Sequence, residues 1–338
     1  MSIRTTLKSA VVSLLLASGC SQQAYTEQEL VNLGLEDVGA NGEQLNGIQN
    51  NGVRTNGVRT NGVRTNGVRT NGVFLNGNLE AQSDDAAVRF SSTELANSDV
   101  DAELEDGSLM VMKIAGVSWA PEIQGYLYDV RSWNGSTWVP ACGTDTSGNP
   151  VKAIAMSDRW DLTSGIFLYD SSLFTFACTN AALGKCAMWG YWRWTSKQEC
   201  KSASCKQQDL AYWHEACAHM VRGDYCGNGV PHTRNGTTID VYDNLDIQSR
   251  ANVGGFSMEA EWRHDGAHCI QHTRWTKGQE NHPYSTDLAY IQAVCPSRLA
   301  ANNPAECANE STSNYYTNNG FSASLTVRKT LRNDSIQQ

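Results

Sequence analysis

Ten of the chain's 11 cysteines lie between Cys142 and Cys307, and that crowding limits what the chain can fold into. A reducing cytosol would hold such thiols apart, whereas an oxidising compartment closes them into disulfides. Setting Cys20 aside leaves Cys142, Cys178, Cys186, Cys200, Cys205, Cys217, Cys226, Cys269, Cys295 and Cys307, an even set sufficient for five bridges. Connectivity does not follow from one sequence. Nearness alone favours local pairs such as Cys178–Cys186 and Cys295–Cys307. The set predicts an exported chain with one bridged domain.

The N-terminus reads as the export signal. Arg4 and Lys8 precede the apolar run Ser9–Ala17, and small residues lead into Cys20, the layout of a secretory signal. The run is far below the roughly 20 residues that span a bilayer. Leu16-Ala17-Ser18-Gly19-Cys20 resembles the lipobox of bacterial lipoproteins, in which cleavage precedes a cysteine that is then acylated. The resemblance implies a signal peptide over 1–19 and a mature chain anchored through lipidated Cys20, with more than one acyl chain for stable attachment. Ser21 after the cysteine resembles the pattern that directs delivery to the outer membrane. The expected location is therefore the cell envelope, periplasmic or surface-exposed. The net charge of −9 argues against a nucleic-acid partner, which favours a basic surface. It also disfavours direct electrostatic adhesion to anionic lipid.

Residues 20–40 hold one short candidate helix, with Thr26 and Glu29 spaced as a capping box. Over 41–79, Asn-Gly recurs every five residues from Asn41 to Asn76, with four consecutive copies of Asn-Gly-Val-Arg-Thr at the centre. This is similar to the pentapeptide repeats that coil into a β-helix, with Ile48, Val53, Val58, Val63, Val68 and Val73 in the inward role. The glycines favour a flexible stalk instead, and both paths stay open. Glu80–Asp106 holds nine acidic residues against the single Arg89 and reads as a solvated acidic linker, although it could fold onto the basic repeat.

The globular domain is expected over 107–332, with 333–338 as a tail. Leu109–Trp119, Val151–Met156 and Leu173–Cys178 read as strands. Tyr126–Val139 reads as a hairpin around Asn134-Gly135, the pair favoured in a type I′ turn. A second hairpin turns at Asp265-Gly266. Leu210, Trp213, Cys217 and Met220 recur at helical spacing within Gln207–Val221. A shorter helix over Asp287–Val294 stops before Pro296. Phe321–Arg328 alternates as a last strand. The pattern predicts a β-rich, disulfide-bonded α+β domain with inserted helices.

Gly223-Asp224-Tyr225-Cys226 resembles the tetrapeptide that names the bacterial ADYC-domain family, with glycine in place of the alanine. Gly184-Lys185-Cys186, Trp189-Gly190-Tyr191 and Trp194 are similar to its upstream block. His232-Thr233, Gly236-Thr237 and Ile239-Asp240-Val241-Tyr242-Asp243 are similar to the block that follows. The likeness covers about 173–275. It implies a recurring class of envelope proteins and brings no activity with it.

The chemical constellations weigh against catalysis. His214 and His219 in His-Glu-Ala-Cys-Ala-His are five apart, which points them about 140° from one another on a helix at 3.6 residues per turn. A zinc-protease pair needs a spacing of four. The nucleophile elbow needs one residue between glycine and nucleophile, and Gly223–Cys226 has two. A disulfide is the better reading of Cys226 than a thiol paired with His232. His264, His268 and His272 with Cys269 would make a metal face on a helix, but the Asp265-Gly266 turn separates them. Asp99, Asp101, Glu103 and Glu105 lack the glycine and closing glutamate of a calcium loop. No Walker loop, dinucleotide fingerprint or G-x-S-x-G appears. No catalytic residue, metal ligand or cofactor is therefore expected. Trp189, Trp192 and Trp194 are candidate stacking residues if exposed, although core packing suits them better. The expected function is a non-enzymatic binding or interaction module, with a protein or polysaccharide ligand. The alternatives are a hydrolase of cell-wall or extracellular polymer, using Asp224 and Asp240 as acid and base, and a structural spacer.

Overall fold

Alternating segments and short continuous apolar runs form the strands of this chain. The computed structural model describes residues 38–40, 49–50, 53–59, 64–65, 68–75, 78–83, 89–104, 109–161, 166–170, 173–201, 204–278, 284–302 and 331–338. The signal segment with Cys20, the candidate helix of 20–40, the expected strand at 321–328 and Cys307 lie outside the described residues. Among the described residues the fold is β-rich α+β, with 21 strands, three α-helices and disulfides. No helix among them is long and apolar enough to cross a membrane.

The N-terminal part supplies β1 (Val38–Ala40), β2 (Gln49–Asn50), β3 (Val53–Arg59), β4 (Arg64–Thr65) and β5 (Val68–Leu75). The acidic segment supplies β6 (Leu79–Ser83), β7 (Arg89–Phe90) and β8 (Ser98–Leu104). Then follow β9 (Leu109–Ala120), β10 (Gly125–Trp133), β11 (Trp138–Pro140), β12 (Ala153–Ser157), β13 (Arg159–Trp160), β14 (Phe167–Leu168) and β15 (Leu173–Cys178). All but β1, β13 and β14 join one 12-stranded antiparallel sheet. Because β3 pairs with both β15 and β8, the strands β3, β15, β12, β10, β9 and β8 close on themselves as a barrel. Val100, Met112, Ile114, Tyr128, Val130, Phe174 and Phe176 fill it, as side chains fill any barrel this small.

A second sheet has the order β1-β18-β21-β19-β20, with β18 Thr238–Tyr242, β19 Ser257–Arg263, β20 Gly266–Ile270 and β21 Leu331–Ser335. A separate hairpin joins β16 (Ser196–Lys201) to β17 (Ser204–Asp209). Helix α2 (Leu210–Arg222) lies on the second sheet, and Trp213, Cys217 and Met220 share its core with Val241, Ala260 and Trp262. The Asp209 carboxylate accepts from Ala211 N at its start, and Gly223 ends it with φ 62°, a left-handed cap suited to glycine. Helix α1 (Ala182–Met188) packs with Ala218 of α2 against Ile154 and Met156 on the outside of the barrel. Helix α3 (Asp287–Val294) is capped by Thr286.

Several expectations change. The described parts of the repeat are antiparallel strands, and neither a β-helix coil nor a stalk describes them. A five-residue period does not match the two-residue alternation by which strands are read. Segment 80–106 is no linker: β8 pairs with β9 and with the repeat strands β3 and β4, and Leu79, Leu95 and Val100 are buried. Basic repeat and acidic segment thus pair, where two separate solvated segments were the preferred expectation. Residues 333–335 are no tail, since β21 lies between β18 and β19. The first hairpin forms, but residues 134–137 make a four-residue loop in place of a type I′ turn. Asn134 Oδ1 accepts from Ser136 N and Thr137 N and closes it.

The described bridges are Cys142–Cys178, Cys186–Cys217 and Cys226–Cys295, and Cys269 is also disulfide-bonded. The local pairs Cys178–Cys186 and Cys295–Cys307 do not form, because each bridge ties two elements that tertiary packing brings together. Cys142–Cys178 joins the loop after β11 to β15, and Cys186–Cys217 joins α1 to α2. Cys200 and Cys205 stand opposite one another in the β16–β17 ladder.

Candidate functional site

Where α2 ends, the chain enters an irregular stretch that is nonetheless buried. Its backbone groups need partners that no ladder supplies. Asp224 provides them: its carboxylate accepts from Gly229 N at 2.8 Å, Asn228 N at 3.1 Å and His219 Nδ1 at 2.9 Å. Burial pushes the Asp224 carboxyl up, but the hydrogen bond from His219 and the nearby His219 and Arg222 charges prevail and hold it below the ordinary range. Both ring nitrogens of His219 face acceptors, the second being the His264 carbonyl at 3.2 Å.

Tyr225 reaches the other way. Its hydroxyl donates to Glu259 Oε1 at 2.9 Å and accepts from Arg274 N at 3.0 Å. Glu259 and Arg274 form a fully buried ion pair, 2.6 Å apart at the closest. Burial opposes the charge on each, yet the partner's charge prevails, so the Glu259 carboxyl is lowered and the Arg274 guanidinium raised. Burial pushes the Tyr225 phenol well up. Arg274 also donates to the Met220 carbonyl at the end of α2. Cys226 completes the motif through its bridge to Cys295, just past α3. Gly227 and Gly266 pass so close that a Cβ on Gly227 would lie 1.8 Å from the Asp265 carbonyl oxygen. His232 Nδ1 bonds Asp287 Oδ1 at 2.8 Å, pinning α3 to the same loop. The motif therefore knits α2, α3 and the β19–β20 hairpin, and its side chains are spent on that.

The remaining candidates are dispersed. His214 Nε2 lies 3.0 Å from the Leu183 carbonyl, and Glu215 accepts from Trp160 Nε1 and Arg193. Asp240 accepts from Ala251 N and Asn252 N; burial, with the Asp334 charge, raises its carboxyl. The Asp224 and Asp240 carboxylates accept from different backbone segments, 228–229 and 251–252. His264 stands at the hairpin turn, His268 Nε2 pairs with Arg263, and His272 Nε2 with Ser257. Asp99 and Asp101 lie in β8 opposite Lys113 and Val111. No group of three or more potential ligands converges among the described residues.

Trp189, Trp192 and Trp194 are half-buried at the junction between α1 and the two cores, and Trp189 and Trp194 pack against those cores. They make no exposed platform. The exposed aromatics lie elsewhere. On the outer face of β10 and β11, Trp133 is 45 % exposed and meets Trp138 edge-to-face, with centroids 5.6 Å apart. Lys113 Nζ sits 5.3 Å from the Trp138 centroid. Arg131, on the same face as Trp133, makes two hydrogen bonds of 2.7 and 2.6 Å to the Asp129 carboxylate. The alternation of Trp133 and Arg131 with buried Ser132 and Val130 was legible; which tryptophans stayed exposed was not.

A disulfide-bonded β-rich domain with a buried Asp-Tyr-Cys knot at the end of its main helix is thus the class this fold defines. Residues 92–276 match the model of the ADYC domain, and the chain belongs to that family. No curated protein and no solved structure matches it.

Proposed function

We propose that this chain is a bacterial envelope lipoprotein, acylated at Cys20 and delivered to the outer membrane, whose ADYC domain is a non-enzymatic binding module. The observation that carries the binding reading is the outer barrel face with Trp133, Trp138, Lys113 and Arg131. Its aromatic rings and ion pair are held by ladder neighbours and by one another, so little side-chain freedom is lost when a ligand docks. The motif residues support the same reading, because buried side chains engaged in holding loops are poorly placed to meet a substrate. The β-rich, bridged domain suits an oxidising compartment.

The test is retention of the purified full-length protein, its acyl chains held in detergent, by detergent-extracted envelope and extracellular material. Wild type is expected to be retained, and the Trp133→Ala, Trp138→Ala double variant to be lost at an unchanged melting temperature. Equal retention of the two proteins, or none by wild type, would overturn the reading. For the anchor, Cys20→Ala is expected to leave the membrane fraction or to keep its signal uncleaved. A cleaved variant that stays with membranes removes lipidation from the account.

A further inference from the structure

We infer that the ligand of the Trp133–Trp138 face is a neutral polysaccharide, an inference that rests on the binding-module reading and names its ligand class. The face is laid out in two rows. In β8–β11 the ladder aligns Asp99 with Lys113, Lys113 with Arg131, and Arg131 with Pro140. Two residues along β10, on the same side of the sheet, lies the aromatic pair of Trp133 with Trp138. At about 3.3 Å per residue the aromatic row runs roughly 6.6 Å from the polar one, and neighbouring strands stand about 4.8 Å apart. A pyranose presents complementary chemistry: a flat face of C–H groups and a rim of hydroxyls. Stacked on Trp133, it directs its rim towards Arg131, Asp129 and Lys113.

Charge selects among glycans. Beside the rings Arg131 is matched by Asp129, and further along the row Asp99 is flanked by Lys113 and Arg64. The matched pair beside the rings offers donors and acceptors without net attraction for an acidic polymer or an anionic lipid surface. Area argues against a protein partner. The exposed apolar side chains here, Trp133 and Val111 with part of Trp138, are few beside the roughly 800 Å² per partner that a stable protein interface covers. A sugar needs no more than these rings.

Purified full-length protein is incubated with insoluble cellulose, chitin and a β-1,3-glucan, with soluble alginate as the acidic polymer, and with anionic phospholipid vesicles. Wild type is expected to bind at least one neutral polymer with little change between low and high salt. Trp133→Ala is expected to weaken that binding on the order of tenfold or more. Trp119→Ala, an exposed tryptophan on the opposite side of the sheet, is expected to retain it. Thermal melts of both variants guard against misfolding, and Arg131→Ala serves if Trp133→Ala melts early. Binding to none of the neutral polymers, binding confined to alginate or vesicles, or full binding by folded Trp133→Ala overturns the inference. Trp133-dependent capture of a protease-sensitive envelope component would overturn the glycan while leaving the binding module standing. Failure of both assays would remove both.

Discussion

The barrel interior and the core beneath the second sheet are both sealed from water, yet they are filled by different means. Inside the barrel, Val100, Met112, Ile114, Val130, Phe174 and Phe176 pack as apolar side chains. The hydroxyl of Tyr128 is a polar group among them, accepting from Leu79 N and donating to Ser92. Around the motif, by contrast, an ion pair and two histidine–carboxylate bonds are buried together. The difference follows from backbone. Barrel strands satisfy one another's N–H and C=O groups, so their side chains are free to be apolar. The chain from Gly223 to Thr237 has no ladder, so its buried peptide groups are met partly by turn bonds and partly by side chains. Asp224 accepts from Asn228 N and Gly229 N and Arg222 donates to the Gly229 carbonyl, while Arg274 donates to the Met220 carbonyl at the end of α2.

Removing one charge of the knot is the strongest way to test that contrast. Glu259→Ala leaves the Arg274 guanidinium buried and unmatched, and is expected to cost about 3–5 kcal/mol of unfolding free energy in urea. Replacing both partners with apolar residues should cost far less, since no uncompensated charge remains. Acid should act on the same groups. The folded carboxyls of Glu259 and Asp224 are held below their ordinary values. The unfolded chain therefore takes up more protons, and their contribution is present above the ordinary carboxylate range and lost as pH falls. The unfolding midpoint should drop on acidification, less steeply in a Glu259→Gln variant. A pH-independent midpoint, or a Glu259→Ala loss under about 1 kcal/mol, would show the knot to be as dispensable as a surface pair.

The bridge comes next. Cys226→Ser opens a tie spanning 69 residues of sequence, with an expected loss of about 2–5 kcal/mol and an early thermal melt. An unchanged midpoint would return Cys226 to consideration as a reactive residue. The family motif was legible in the sequence as a block, and the paired reading of Cys226 followed from the cysteine count. Its partner was not legible. Cys295 reaches it only because His232–Asp287 and the Gly227–Gly266 approach bring α3 and the β19–β20 hairpin to the same loop. Helix α3 and strand β15 could be read to the residue because Thr286, Pro296 and a continuous apolar run mark their ends. The repeat could not be read this way: its strands are fixed by what β8 and β15 offer along their edges, which no local pattern records.

The barrel has its own, weaker version of the test. Tyr128→Phe keeps the ring among its neighbours, tilted against Phe176 at 5.7 Å, but leaves Leu79 N without its acceptor. The expected cost is about 1–3 kcal/mol. A larger loss than Glu259→Ala would reverse the comparison.

The smallest expected effect concerns the one letter in which the motif departs from its family. Gly223 closes α2 with φ 62°, and its N–H bonds back to the Met220 carbonyl. An L side chain in the left-handed region meets a strain of about 1–2 kcal/mol. Here a Cβ would also stand 3.0 Å from the His232 carbonyl oxygen. Gly223→Ala, which restores the family's alanine, is therefore expected to lower stability by at least about 1–2 kcal/mol. Gly135 in the 134–137 loop separates strain from crowding: its φ is 100°, and a Cβ there would meet nothing within 4 Å. Gly135→Ala carries conformational strain alone, so the excess loss in Gly223→Ala measures how tightly the motif loop is pressed against His232. Equal losses would mean that the loop yields by the few tenths of an ångström required. A neutral Gly223→Ala would mean that α2 ends in another way once alanine is present, and that the rigidity attributed to the knot begins only at Asp224.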